Sequence, residues 1–600
     1  MRRSSFLALS GAALLLAGPG AAAQLGEAWV SFTKQPGQLG VAPTALSDSS
    51  TQVGFRTGDL DQDGWDDVVA VRKQQASQQG KRAAFLLMNL DGVLTDQTVQ
   101  YASASDVPGD LGFLTPCGNR ECALGDVDGD GWLDVVTCTT LSDGDPKALS
   151  HPRVYVNRGD AAGGAWQGLA YEQARIPQLL TVGGLAVAPR FGGVGLGDVT
   201  GDGASDLYFV DFDGTETGIL EPTSWDLNDR LLVNDGNGYF TDESAARLTP
   251  AQLLSHWGAD AQVVDANADG AMDIVKLTTL LSPRVVRLIY NDPAHPGDFT
   301  AQGVQDVTSI SPYGMDVGNL NNDGFLDLAI ADSGTDRFSL GTGYDALQHV
   351  SWSALKTYTF LDGSDDGFGH NAYIRDLDAD GWNDVLVANG DGDIVTCFGR
   401  LHVYHNTGTV PGDLNLALVE EVELSSGSQG AGWKGAVGLT VPDLNGCYDV
   451  GFGDWDRDGD LDLLIGTCSG TQSFRNETDP VVCQTDLGFG GPGSMSLGLC
   501  GDPLTEPGGL ATLQLAGAAP NAPVYIPISL SIGPVPFKGG QLVPFPVLVV
   551  ITGLVTDGAG GLNLPVAGSG GVPLHVDMQC LVKNGSVYEF SNALEVIIGA

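Results

Sequence analysis

Seven times along the chain one nine-position pattern recurs, with an oxygen-bearing side chain at positions 1, 3 and 5, glycine at 6 and aspartate at 9. The copies carry Asp59, Asp61, Asp63 and Asp67; Asp126, Asp128, Asp130 and Asp134; Asp198, Thr200, Asp202 and Asp206; then Asp265, Asn267, Asp269 and Asp273. The last three carry Asn319, Asn321, Asp323 and Asp327; Asp376, Asp378, Asp380 and Asp384; and Asp454, Asp456, Asp458 and Asp462. First positions lie 54 to 78 residues apart. A period of that length, kept seven times, points to an array of supersecondary units.

Each copy has the same surroundings. A short strand precedes it, as in "TQVGFRTGD", and a β-branched apolar strand follows, as in "DVVAVR" or "DLLIGT". A third strand comes next ("AAFLLMN", "RVYVNR", "RLLVND", "RLHVYHN"), and a turn leads to a fourth, as in "GNGYFTDES". Four strands per unit is the grammar of a propeller blade. A parallel β-roll needs its nonapeptides in immediate succession, and these are far apart.

Carboxylates this close repel unless a cation sits among them. Side chains at positions 1, 3 and 5 face one concave side of a tight loop, glycine at 6 permits the turn, position 7 offers its carbonyl, and position 9 returns a carboxylate. Hard oxygen donors in that number suit Ca²⁺ rather than zinc or copper. An EF-hand would need an acidic position 12, and here that position is Ala70, Thr137, Phe209, Lys276, Ile330, Val387 or Ile465. The loops are unequal, since the third and fourth hold three carboxylates each and the fifth only two. Together they hold 24 of the chain's 74 acidic residues, so up to seven structural Ca²⁺ ions would offset much of the repulsion.

These seven loops resemble the FG-GAP/VCBS repeats of the integrin α-subunit-like β-propeller, over Gln24 to Pro480. The resemblance implies a seven-bladed propeller with calcium between the first two strands of each blade, mainly structural, and with ligands bound on a propeller face. The chain lacks the legs and membrane span of an integrin subunit, so a receptor role is not implied. Residues 481–600 carry no Asp loops, few charges and apolar runs such as "LVPFPVLVVITG". They read as a small antiparallel β-sandwich and resemble a C-terminal module of bacterial extracellular proteins.

The formal charge of −46 argues against nucleic acid and anionic membranes as partners. Residues 1–23 read as a signal peptide: Arg2 and Arg3, an apolar run Phe6–Ala17, and Ala21-Ala22-Ala23 before Gln24. Export follows, to the cell surface, the periplasm or the medium, and no later run is apolar enough to predict a transmembrane span. Nine cysteines in an exported chain favour disulfides. The spacing predicts Cys122 with Cys138 (Cys117 competing for Cys122), Cys447 with Cys468, and Cys483 with Cys500.

No H-E-x-x-H, G-x-S-x-G or Walker-type element is present. His402 and His405 sit three apart on a strand and face opposite sides. His370 and Trp257 are candidates for a central pocket or for simple packing. "RGD" at Arg158-Gly159-Asp160 aligns with an ordinary turn of the next unit. The expectation is a monomeric binding or adhesion protein for an extracellular carbohydrate or protein, rather than an enzyme. The alternative is a calcium-dependent polysaccharide lyase. One further expectation concerns the ends: the last unit has three strands, and Gly26–Gln35 should supply the fourth by pairing with Gln472–Glu477.

Overall fold

The computed structural model describes residues 30–599 except 75–81, 140–150, 162–163, 182, 213–226, 310, 358–368, 391–396, 398, 407–411, 413, 415, 419–438, 440–443, 478–481, 494, 502–503, 506, 559, 570–572 and 586. The expected signal peptide lies outside them. The fold is all-β, with 52% strand and 4% helix. It divides into two units at Thr478/Asp479, and the loop residues Asp378–Gly381 group with the second.

In the first unit every nine-position loop closes a hairpin. The strands before the loops are Thr51–Gly58, Asn119–Gly125, Phe191–Gly197, Gly258–Val264, Pro312–Gly318, Asn371–Arg375 and Cys447–Gly453. Each partner strand starts on the position-9 aspartate: Asp67, Asp134, Asp206, Asp273, Asp327, Asp384 and Asp462. These second strands are buried on both faces, which explains why "DVVAV" or "DLLIG" reads as an unbroken apolar run.

The first, third, fourth and sixth sheets add third and fourth antiparallel strands in chain order. The second sheet does the same and gains Ala104–Ser105 in parallel at its edge. The fifth stops at three strands, and Gly341–Tyr344 and Val350–Trp352 form a separate hairpin. In the seventh the edge strand is Phe32–Lys34 from the other end of the chain, with Phe32 opposite Asn476 and Lys34 opposite Phe474. The pairing extends through Gln35 N–H to Ser473 O (2.8 Å) and Glu477 N–H to Ser31 O (2.7 Å). Phe32 is buried, while the Lys34 ammonium lies over the Phe474 ring.

Consecutive sheets share apolar cores because alternate residues of one strand serve opposite sides. Val69 and Val71 of the first sheet pack with Val135 and Tyr155 of the second. Val68 and Ala70 pack instead with Trp455 and Leu464 of the seventh. Similar cores join the second sheet to the third, the third to the fourth, the fourth to the fifth, the fifth to the sixth and the sixth to the seventh.

In the second unit two antiparallel sheets enclose one core. One is ordered Val482–Cys483, Ser496–Gly501, Pro507–Ala516, Leu562–Ser569. The other is ordered Thr485–Gly488, Val587–Gly599, Pro573–Asn584, Pro523–Ser529, Val549–Val555. Leu499 and Leu513 of the first meet Ile526, Met578 and Val596 of the second.

Two expected disulfides do not form. The hairpin closes on Gly125 opposite Asp134, so Cys122 stands opposite Thr137 and Cys138 is one residue out of register. A one-residue offset puts side chains on opposite faces. Cys122 accordingly packs toward the first sheet and Cys138 toward the third, both as free thiols. Cys447 is likewise opposite Thr467, a bulge follows it, and it is free. Cys468 instead bonds Cys397. Cys117 and Cys580 are free as well. Cys500 is disulfide-bonded, with Cys483 opposite it in the ladder.

Candidate metal centre

The loops are wound by two left-handed residues, not one. Glycine at position 6 has φ between 83° and 99° in all seven copies. Position 4 is left-handed as well, including non-glycines such as Gln62, Ala268, Asn322 and Arg457. Side-chain oxygens hold this turn. At position 1, Asp59, Asp126, Asp198, Asp265 and Asp454 each accept the position-6 N–H through Oδ2, at 2.8 to 3.1 Å. At position 5, Asp63, Asp130, Asp202, Asp269, Asp323 and Asp458 accept the position-7 N–H at 2.9 to 3.3 Å.

Position 9 is the pivot. Its carboxylate is buried in every copy. Oδ2 accepts the position-2 N–H: Leu60 to Asp67 at 3.0 Å, Val127 to Asp134 at 2.9 Å, and so on to Trp455 to Asp462 at 3.1 Å. Oδ1 accepts from the third strand, where Asn89, Asn157, Asn234, Asn291, Asn406 and Asn476 donate their backbone N–H at 2.7 to 2.8 Å. Burial pushes Asp67 up to about 8, Asp134, Asp273, Asp327 and Asp462 to about 7, and Asp206 to about 6.

The loops differ in how far they gather their acids. Carboxylate oxygens of Asp59, Asp61 and Asp67 come within 4.8 Å of one another, as do those of Asp126, Asp128 and Asp134, and of Asp454, Asp456 and Asp458. Oxygens in these loops also lack partners: Asp59 Oδ1, Asp128 Oδ1 and Asp456 Oδ1 are buried without any hydrogen-bond donor. A buried acceptor with no donor, beside two more carboxylates, offers the hard oxygens that a divalent cation takes. The residues present therefore fit a hard divalent ion.

In the third loop Thr200 Oγ1 donates to Asp198 Oδ1 (3.5 Å). In the fourth and fifth the amides of Asn267 and Asn321 donate to Asp269 (2.9 Å) and Asp323 (3.0 Å). There an N–H of the loop itself takes an oxygen that a cation would use. Asn319 Oδ1 remains buried without a donor. In the sixth loop Asp376 and Asp384 belong to the first unit, whereas Asp378 and Asp380 group with the second. Two loops carry a built-in counter-charge at position 3: Arg475 Nε lies 2.7 Å from Asp456 and Arg175 Nη2 3.5 Å from Asp128.

The asparagines that close the third strands escaped sequence reasoning. Besides binding their own loop, they reach back to the preceding one, donating Nδ2 to its position-2 carbonyl. Asn157 bonds Leu60 O (2.8 Å), Asn234 Val127 O (2.7 Å), Asn291 Val199 O (2.8 Å), Asn406 Leu320 O (2.7 Å) and Asn476 Leu377 O (2.8 Å). Asn89 of the first sheet reaches Trp455 O of the seventh (3.3 Å). The fifth sheet has Gly341 at this place, where an added Cβ would lie 2.4 Å from Leu326 O. Its junction to the fourth sheet uses rings instead: Tyr290 accepts from Val350 N–H at 3.0 Å and stacks on His349. The signal was legible as a terminal Asn in "LLMN", "VYVN" and "LLVN", but its bond partner is a whole unit away.

The strands before the loops, all seven of them, contribute to the wall of one cavity of about 670 Å³. Arg56, Glu121, Asp260, Asp316, Tyr373 and Arg375 are among its polar residues. His370 and Trp257, the sequence candidates for such a pocket, are not: His370 is buried beside Tyr313, and Trp257 packs edge-on against Phe212. His402 is buried against Asp336 at 2.8 Å. The Arg158-Gly159-Asp160 tripeptide forms a turn, with Gly159 N–H bonded to Asn157 Oδ1 and its Cα beneath Trp132.

Comparison with protein-family models aligns Asp198–Val275 with a known family. This stretch is an FG-GAP-like repeat. The match runs from position 1 of the third loop through the fourth loop into the second strand of the fourth sheet. No curated protein matches the chain. Among the described residues no helix is long and apolar enough to cross a membrane.

Proposed function

We propose that the first unit is a seven-bladed FG-GAP β-propeller, exported and held in shape by calcium, that serves as a binding module for an extracellular carbohydrate or protein. The observation that carries the reading is the gathering of three carboxylates around a donorless buried oxygen in the first, second and seventh loops. Two features support the propeller: consecutive sheets share cores round to the first and seventh, and the asparagine bonds run the same way. The second unit is an accessory β-sandwich.

Calcium is structural in this reading. Positions 1, 3, 5 and 9 would hold it, and its charge would offset carboxylates that otherwise raise one another's pKa, as Asp63 and Asp59 add to burial in raising Asp61 to about 6. The loops then fix the ends of the strands, and the faces of the ring are left to recognise a partner.

The test is a glycan array probed with the calcium-loaded full chain, run beside an absorbance assay for unsaturated uronic products on acidic polysaccharides. Saturable binding without product supports a binding module. Steady release of unsaturated product would replace it with a lyase.

A further inference from the structure

We propose that the cavity lined by the seven loop-leading strands is a binding site for a small organic cation, an alkyl chain bearing ammonium or guanidinium groups. Its polar side chains come from alternate positions of those strands. Counting back two and four residues from the strand ends gives Arg56, Gln262, Asp316 and Tyr373, then Glu121, Asp260 and Asn371. The intervening residues, such as Leu196, Val263 and Phe452, give apolar wall. At about 670 Å³ the cavity falls in the size range of ordinary small-ligand sites.

Its charges do not cancel. Arg56 is committed to Glu121 at 3.2 Å and to Phe55 O at 2.7 Å. Arg375 is committed to Asp316 at 3.2 Å and to Ile374 O at 2.6 Å. Asp260 is left over. One of its oxygens accepts from Met315 N–H at 3.2 Å, and among the described residues no other donor reaches this carboxylate. Burial and the nearby charges of Glu121 and Asp316 push it up to about 6, with Arg56 only partly opposing them. Asp66 is a fourth acid in the lining, and Asp449, which accepts from Phe55 N–H and the Tyr373 hydroxyl, adds a fifth to the same region. A half-buried carboxylate with no ion-pair partner of its own, facing a partly open cavity beside other acids, favours the arrival of a cation.

The lining favours an organic cation. Among the described residues no three acids of this cavity gather within 4.8 Å of one another, as those of the loops do. Acids supplied by separate strands suit N–H donors spread along a chain, and the apolar wall suits the methylenes between them.

Agmatine, which carries a guanidinium and an ammonium on four methylenes, is the probe. Calorimetric titration uses the full chain in excess calcium, so that the loops are already filled. The site is independent of the calcium reading, and repeating the titration without added calcium separates the two. The expected result is one saturable site, weakened at least tenfold in both Asp260→Asn and Glu121→Gln and unchanged in Asp235→Asn, a surface control on a distant turn. Butane-1,4-diol, the uncharged analogue, should not bind. No heat at millimolar agmatine, or equal affinity in all four proteins, would overturn the proposal.

Discussion

Replacing Asn234 by alanine should be among the most damaging single changes in the first unit, although its side chain bonds none of the candidate ligand oxygens and does not line the cavity. Its amide nitrogen bonds Val127 O at 2.7 Å in the preceding loop and Ser205 O at 2.9 Å in its own. Its oxygen accepts from Gly236 N–H at 3.0 Å and Gly238 N–H at 2.9 Å. Truncation removes all four bonds at a site only 3% exposed. Water can reach Gly236 and Ser205, but Val127 O and Gly238 N–H stay buried. Two ordinary bonds at about 1 kcal/mol each, plus two buried groups left unmade at somewhat more, give a loss of roughly 3–5 kcal/mol. For a unit of several hundred residues that corresponds to a fall in melting temperature of about 3–5 °C. The assay is denaturant unfolding in calcium-saturated buffer, followed by tryptophan fluorescence. Asn237→Ala, three residues beyond in the exposed turn, is the control and should change little. A loss under about 1 kcal/mol, no larger than in the control, would refute the idea that these asparagines bind one sheet to the next.

Other outcomes follow from the same structure. Deleting residues 30–35 should destabilise the first unit as a whole, because Phe32 is buried in the core between the sixth and seventh sheets. Phe32→Ala alone should cost about 3–5 kcal/mol, read by chemical denaturation, and a truncated chain that unfolds like the intact one would contradict the closure. Direct titration should find the first, second and seventh loops filling before the fourth and fifth, whose Asn267 and Asn321 amides already occupy carboxylate oxygens. Asp269→Asn should then leave the tightest sites unchanged, whereas Asp61→Asn should remove one. Asp260→Asn should stabilise the ligand-free chain at high pH. The folded pKa of about 6 lies above the usual 3.8, so the folded state holds its proton longer than the unfolded one. The wild type therefore loses stability as pH rises from about 4 to 6, by at most about 3 kcal/mol and less where cavity water screens the charge. The melting curves of variant and wild type should coincide near pH 4 and separate, the variant higher, by pH 8.

The loops and their hairpins could be read from the chain because their chemistry is local. Carboxylates two residues apart, a glycine at position 6 and a β-branched run after position 9 fix the turn and the strand that follows it. The missing edge strand could be read for a related reason: a unit one strand short and the unassigned alternation around Phe32 pointed to each other. What failed depended on register or on distance. The pairing of Cys122 with Cys138 fails by a single residue, because the ladder closes with Gly125, rather than Asp126, opposite Asp134. The terminal asparagines were visible, yet their bonds cross from one unit to its neighbour. In the fifth sheet the asparagine's place falls to Gly341, because Leu326 O approaches so closely that a Cβ would lie 2.4 Å from it, and only the structure reveals that approach. The acids of the cavity, Glu121, Asp260 and Asp316, lie in three different repeats, and no spacing along the chain connects them.

The most direct test of the account is the thermal unfolding of the full chain with and without a calcium chelator, followed by restoring calcium in excess. A site held at a hundred times its Kd stabilises the folded state by about 2.7 kcal/mol, so even three loaded loops should dominate the curve. The account predicts a large fall in melting temperature on chelation and full recovery with calcium. Superimposable curves in chelator and in calcium would contradict it.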